Sequence, residues 1–213
     1  QALEKIGASN VKNYYDMILS FPLAELGKIS DQIISIKQKS KGKKILLIHY
    51  NHSRDALRLF ANVTKRFIEA NDDYMVIVSA DSIIKEEDAF FKEFESLCNC
   101  GLHYIYDDPF EFIELLKCVD VVLTCKLHTG VVASMLQKSV ISVADHYEKT
   151  RRYYDLIGQS NRCVALESVG EDDVISMISE YCDCPIIIPE DVKEISKMHY
   201  NKLVEFLNLC SKK

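Results

Sequence analysis

Residues 121–143 read VVLTCKLHTGVVASMLQKSVISV. Two apolar runs, 121–124 and 140–143, bracket a stretch of small and apolar residues at 130–136. An apolar run with no polar alternation suits a strand buried on both faces, as in a parallel sheet. The stretch between them fits a short helix, so the segment is a strand–helix–strand unit. Repetition of such units makes a parallel α/β sheet.

Working outward, the same alternation recurs. Strands are expected at 45–49 (ILLIH), 75–79 (MVIVS), 103–106 and 163–166. Between them, 55–69 carries Leu57, Phe60, Ala61, Val63, Phe67 and Ile68 at helical spacing, and 86–97 carries Phe90, Phe91, Phe94 and Leu97. Pro109 fits a helix start, where its missing N–H is harmless, and that helix runs to about Cys118. A helix over 148–157 ends at Gly158, a natural C-cap. Helices follow at 172–181 and 190–209, the last with Ile195, Met198, Leu203, Phe206 and Leu207 facing inward. Upstream, helices are expected over 10–21, capped by Ser9 or Asn10, and over 31–39. The predicted fold class is therefore α/β: a Rossmann-like parallel sheet of about six strands flanked by helices.

The chain has 213 residues, 48% of them apolar and 27% charged, enough for one sizeable core. No apolar run approaches the roughly 20 residues that span a bilayer. A net charge of −6 argues against general nucleic-acid binding, which needs a basic surface. The sequence opens on Gln1 without a secretory signal. Residues 1–42 are expected to be a helical extension and linker from a preceding N-terminal domain, and 43–213 a Rossmann-like C-terminal domain with terminal helices. Of the eight cysteines, Cys118, Cys125, Cys163 and Cys210 lie in apolar segments, as free thiols of a reducing, cytoplasmic compartment do. Cys98/Cys100 and Cys182/Cys184 are C-x-C pairs, a spacing shorter than that of structural zinc sites, so they read as free thiols and no metal is expected.

Ligands of open parallel sheets bind at the carboxyl ends of the strands, which selects four loops. The first, after 45–49, carries His49, His52, Ser53 and Arg54. Arg54 offers a planar fork for phosphate or carboxylate, or is merely solvated where Ser53 caps the next helix. His49 reads as a hydrogen-bonded core histidine. The second loop, 80–85, looks like a plain helix start. The third places Lys126, Leu127 and His128 at the start of a helix, whose free N–H groups and partial positive charge favour anions. His128 can transfer protons near neutral pH, and Gly130 and Ala133 allow a ligand or another backbone to approach closely. The fourth, 145–152, has Lys149, Arg151 and Arg152, with Lys149 and Arg152 sharing a helix face. There is no GxGxxG, Walker loop, redox CxxC, HExxH or serine elbow.

The run DVVLTCKLHTGVVASMLQKSVISVADHYEKTRRYYDLIG, residues 120–158, resembles the C-terminal half of polysaccharide pyruvyl transferases. Members have a strand, Arg-Leu-His, a small-residue helix, a second strand, a lysine-bearing loop and a helix ending near Leu-Gly. Here these are matched by Lys126-Leu127-His128, residues 130–136, residues 140–143, Lys149 and Ile157-Gly158. The likeness extends over about residues 43–166. Lysine at 126 replaces the family's arginine and lacks its bidentate fork.

The resemblance implies one half of a GT-B fold, with phosphoenolpyruvate as donor substrate, no cofactor, and a sugar of a surface polysaccharide or glycan as acceptor. The product is a pyruvate ketal. The residues suit that chemistry independently: His128 is the candidate catalytic acid–base group, and Lys126, Leu127, Arg54, Lys149 and Arg152 are candidate substrate contacts. Two other readings stay open. One is a GT-B glycosyltransferase using a nucleotide sugar, with Glu148 or Glu167 at the ribose. The other is a non-catalytic homologue that binds an acidic ligand.

Overall fold

A strand buried on both faces must satisfy its backbone groups inside the sheet, and six runs do so, all in parallel: β1 (Lys44–Tyr50), β2 (Tyr74–Ala80), β3 (Leu102–Tyr104), β4 (Val121–Thr124), β5 (Ser139–Ala144) and β6 (Cys163–Ala165). Their spatial order is β3-β2-β1-β4-β5-β6. This is the doubly wound Rossmann order. The structure is a computed structural model that describes residues 15–51, 53–80, 84–99 and 102–210.

The helices, in chain order, are α1 (Asp31–Lys39), α2 (Arg54–Ala70), α3 (Ile84–Cys98), α4 (Pro109–Cys118), α5 (Leu127–Met135), α6 (Tyr147–Leu156), α7 (Glu171–Tyr181) and α8 (Glu190–Cys210). Alternation along β1 separates the two faces of the sheet. Leu46, Ile48 and Tyr50 join one buried cluster with Leu57 and Phe60 of α2, Phe91 and Phe94 of α3, and Val174 and Ile178 of α7. Within it the Tyr50 and Phe94 rings stack at 5.8 Å. His49, pointing the other way, packs on Phe112 of α4 at 5.3 Å. Helices α1, α4, α5 and α6 touch in sequence along that second face. The result is three layers, helix–sheet–helix.

Local signals set the ends of the elements. Ser53 Oγ accepts the Ala56 N–H at 3.3 Å and starts α2. Asp108 caps α4, with Pro109 at its first turn. Gly158, at φ 69°, closes α6 as expected. Helix α5 begins at Leu127, three residues earlier than the expected 130. Lys126 takes an extended N-cap conformation, so the chain turns directly out of the strand.

The chain divides into two compact units, Pro22–Ile187 and Gln1–Phe21 with Ile188–Lys213. In the smaller unit Ser196 Oγ donates to the Asp16 carbonyl at 2.5 Å, and His199 Nδ1 lies 2.9 Å from the Tyr15 carbonyl. The rings of Phe21 and Tyr200 meet edge to face at 5.5 Å. The contact face of α8 thus runs through positions 196, 199 and 200. Met198, Leu203, Phe206 and Leu207, expected to face inward, are exposed, because polar partners rather than the apolar stripe define that face. Most of the helix expected over 10–21 lies outside the described residues; inside them Met17–Ser20 forms a 3-10 turn. No helix among the described residues is long and apolar enough to cross a membrane.

Among the described residues, Cys118, Cys125, Cys163, Cys182 and Cys184 are free. Cys98 departs from the expectation of free thiols and is disulfide-bonded. Cys100 lies outside the described residues.

Candidate functional site

The order of the sheet reverses between β1 and β4. From β1 the chain continues through α2 to β2 on one side, and from β4 through α5 to β5 on the other. Such a reversal opens a crevice at the carboxyl ends of the two strands. Asn51 and Cys125, the residues that follow them, stand at its mouth.

The loop after β4 is a single tight turn. Thr124 Oγ1 accepts the Lys126 N–H at 3.0 Å, and the Gly130 N–H donates to the Lys126 carbonyl at 3.2 Å to close the first helical turn. Among the described residues, no side chain caps α5. The N–H groups of its first turn are therefore available to a ligand, with the positive end of the helix dipole behind them. Lys126 and Leu127 are half-buried and His128 is exposed, all at this one turn. Beneath it lies the buried His49, as a core histidine should. Its Nδ1 stands 3.4 Å from Thr129 Oγ1 and 3.5 Å from Thr124 Oγ1, one hydroxyl on each side of Lys126.

The loops after β1 and β5 reach the same place. The Asn51 N–H donates to Cys125 Sγ at 3.1 Å, and Asn51 Nδ2 donates to Asp145 Oδ2 at 2.9 Å. Burial pushes the Cys125 thiol up to about 12, so it is an inert packing group rather than a nucleophile. Arg54 opens α2; it is exposed, with Nε 3.9 Å from Glu93 Oε2 of α3. Lys149 and Arg152 are exposed on α6 and make no ion pair among the described residues. The cation that is engaged there is Arg151, which donates to Asp155 Oδ1 at 2.8 Å and to the Tyr147 hydroxyl. The structure thus gathers Lys126, Leu127 and His128 into one turn and sets α6, with Lys149 and Arg152, against α5. Arg54 stands beside α3. Residues 81–83 of the second loop, and His52, lie outside the described residues.

Gly130 leaves space for a ligand or for another part of the chain to come close, and the structure shows the second. A Cβ built there would meet the Tyr154 hydroxyl of α6 at 2.5 Å. The glycine exists so that α6 can lie close to α5. Tyr154 is fully buried, and burial raises its pKa. The sequence reading missed Asn51, Asp145, Thr124 and Thr129 as parts of the site. A signal for Asn51 and Asp145 was present: each is the first polar residue after a buried parallel strand.

Comparison with known proteins bears on this geometry. The chain matches the polysaccharide pyruvyl transferase family over residues 1–147. The match takes in residues 1–42, beyond the expected limit, and contains Arg54, Lys126, Leu127 and His128. It stops before Lys149 and Arg152. No curated protein matches the chain in sequence. In three dimensions it is similar to the UDP-GlcNAc 2-epimerase of Methanocaldococcus jannaschii in complex with UDP-GlcNAc and UDP. That likeness has a TM-score of 0.64 and 14% identity, and covers 95% of this chain and 57% of that one. The UDP-GlcNAc 2-epimerase of Neisseria meningitidis bound to UDP-GlcNAc gives 0.58 and 15%, with 82% and 50% covered. The N-terminal domain of Candida albicans trehalose-6-phosphate phosphatase gives 0.51 and 13%, with 82% and 41% covered. At these identities the likeness establishes the fold, one half of a GT-B architecture. The chain spans about half the length of the solved epimerases it matches.

Proposed function

Since the chain belongs to the polysaccharide pyruvyl transferase family, we propose that it forms the donor half of an enzyme that transfers pyruvate from phosphoenolpyruvate to a sugar. The observation that carries this reading is the position of the family's cation-Leu-His element. Lys126, Leu127 and His128 occupy an uncapped helix N-terminus at the switch point of the sheet.

Phosphoenolpyruvate carries a phosphate and a carboxylate, and the turn suits both. First-turn N–H groups and the Lys126 ammonium hold anionic oxygens. The exposed imidazole of His128 delivers a proton to the methylene carbon, which leaves C2 electron-poor. One sugar hydroxyl attacks C2, phosphate departs with its bridging oxygen, and a second hydroxyl closes the ketal. Of the two hydroxyl protons released, one replaces the proton given to carbon and the other leaves on phosphate. Arg54, Lys149 and Arg152 supply further positive charge along the edge of the crevice. The reaction needs no metal or redox cofactor. Phosphoenolpyruvate as donor puts it in the cytoplasm, with the acceptor sugar bound mainly by a preceding N-terminal domain.

Phosphate release from phosphoenolpyruvate by the full-length protein, across a panel of acceptor oligosaccharides, tests the proposal. Acceptor-dependent release with a mass gain of one pyruvyl ketal is the expected result. The nucleotide-sugar reading draws on the UDP-GlcNAc held by the epimerases of similar fold. Thermal stabilisation by UDP sugars and not by phosphoenolpyruvate would favour it. Binding of phosphoenolpyruvate without phosphate release, with every acceptor, would identify a non-catalytic homologue.

A further inference from the structure

Asn51 stands where three loops of the crevice meet, and it bonds to each through a different atom. Its N–H donates to Cys125 Sγ at 3.1 Å, beside Lys126. Its Nδ2 donates to Asp145 Oδ2 at 2.9 Å, two residues before α6 with Lys149 and Arg152. Its Oδ1 accepts the N–H of Ser53 at 3.1 Å, the residue that caps α2 just ahead of Arg54. The bond to Asp145 spans 94 positions of sequence and crosses over the end of β4, since β1 and β5 both flank that strand. It joins a neutral amide to an ionised carboxylate, and such charge-assisted bonds are stronger and more directional than neutral ones. Asp145 would otherwise be an unrestrained negative charge at the mouth of a crevice suited to an anion. The amide ties one of its oxygens toward β1.

We propose that Asn51 is a positioning residue for the donor site. By fixing the loops after β1, β4 and β5 to one another, and by restraining Asp145, it sets the spacing at which the cations meet a doubly anionic ligand. It touches no reacting atom. The inference rests on the reading of the crevice as a phosphoenolpyruvate site.

The test is phosphoenolpyruvate affinity and thermal stability of the full-length protein in Asn51→Ala, Asn51→Asp, and Asn51→Asp combined with Asp145→Asn. Asn51→Ala is expected to weaken binding about tenfold, with Tm within about 3 °C of the parent, because the bond to Asp145 is exposed. Asn51→Asp keeps the acceptor for Ser53 but sets two carboxylates against each other, and should weaken binding further. The double exchange restores a carboxylate–amide pair with its polarity reversed, and should recover about tenfold of the loss. Unchanged affinity in Asn51→Ala, or a double exchange no better than Asn51→Asp alone, overturns the proposal. So does a Tm fall of more than about 10 °C in all three variants, which would assign Asn51 a purely structural role. Arg54→Ala and Lys126→Ala serve as the reference. If they weaken binding and the Asn51 variants do not, only this inference fails; if none of them weakens it, the phosphoenolpyruvate reading falls too.

Discussion

After β4 the chain turns at Lys126 straight into α5; after β5 it passes through two exposed residues, Asp145 and His146, before α6 begins at Tyr147. Both loops bring cations to the carboxyl edge of the sheet, and composition alone does not rank them. Their surroundings do. The Lys126–His128 turn is braced from below by Thr124, Thr129 and the buried His49, and its uncapped N–H groups face the switch point. Lys149 and Arg152 are exposed on α6, one strand further from the reversal of the sheet. A charge fixed at a helix N-terminus in a crevice acts on a bound anion through little water, whereas an exposed charge is screened. The two cationic loops should therefore contribute unequally, and substitutions in the turn, at the α5–α6 contact and on α6 can break that ranking.

The largest effect is expected from His128→Ala. Loss of a positioned general acid removes roughly a hundredfold or more of rate. Acceptor-dependent phosphate release should fall by that factor while phosphoenolpyruvate affinity changes little. A variant that keeps its rate would take proton transfer away from this turn. Lys126→Ala comes next, and acts on binding: losing a charge-assisted contact worth about 1.5–3 kcal/mol weakens affinity about tenfold to a hundredfold. Lys126→Arg, which restores the family's residue, should bind at least as tightly as the parent in the same titration. If it binds worse, this turn has been refitted around a point charge and the family's fork no longer fits.

A further substitution couples the two regions. Gly130→Ala places a methyl group 2.5 Å from the Tyr154 hydroxyl but 3.6 Å from its Cζ. Adding a methyl to a tight contact costs about 1–3 kcal/mol, so thermal unfolding should shift down. Tyr154→Phe removes the clashing oxygen and leaves an ordinary carbon contact. Combining the two should restore most of the lost stability. If the double variant is no better than Gly130→Ala alone, the spacing of α5 and α6 does not depend on this contact.

That contact also marks where the sequence could and could not be read. The strands were legible because a parallel sheet demands uninterrupted apolar runs, and ILLIH and MVIVS have no other use. The helix starts at Ser53 and Pro109, and the stop at Gly158, were legible because capping chemistry is local. The turn at Lys126–His128 was legible as a cationic helix entry after a buried strand. Gly130 was legible as a point of close approach but not by what, because a missing side chain looks the same whether a ligand or a neighbouring tyrosine fills its place. Asn51 and Asp145 were passed over because they become partners only through the strand order, which places β1 and β5 on either side of β4. The face of α8 was misjudged for a related reason: Ser196 and His199 bond to backbone carbonyls of residues 15 and 16, and no hydrophobic period records that.

The smallest effect is expected at Lys149 and Arg152. Each is exposed, and exposed charge pairs contribute about 0–1 kcal/mol. Lys149→Ala and Arg152→Ala should each weaken phosphoenolpyruvate binding by less than about fivefold. That loss should shrink further as salt is raised, because screening acts most strongly on solvated charges. The loss in Lys126→Ala should persist at the same salt. The salt series is the sharper test, since two variants with equal losses at low ionic strength still separate if only one interaction is shielded from water. A salt-resistant loss at Lys149 or Arg152, as large as that at Lys126, would mean that α6 closes over the anion when it binds. The Gly130–Tyr154 contact would then be the pivot of that movement rather than a fixed spacer, and Gly130→Ala would weaken binding by more than its effect on stability explains.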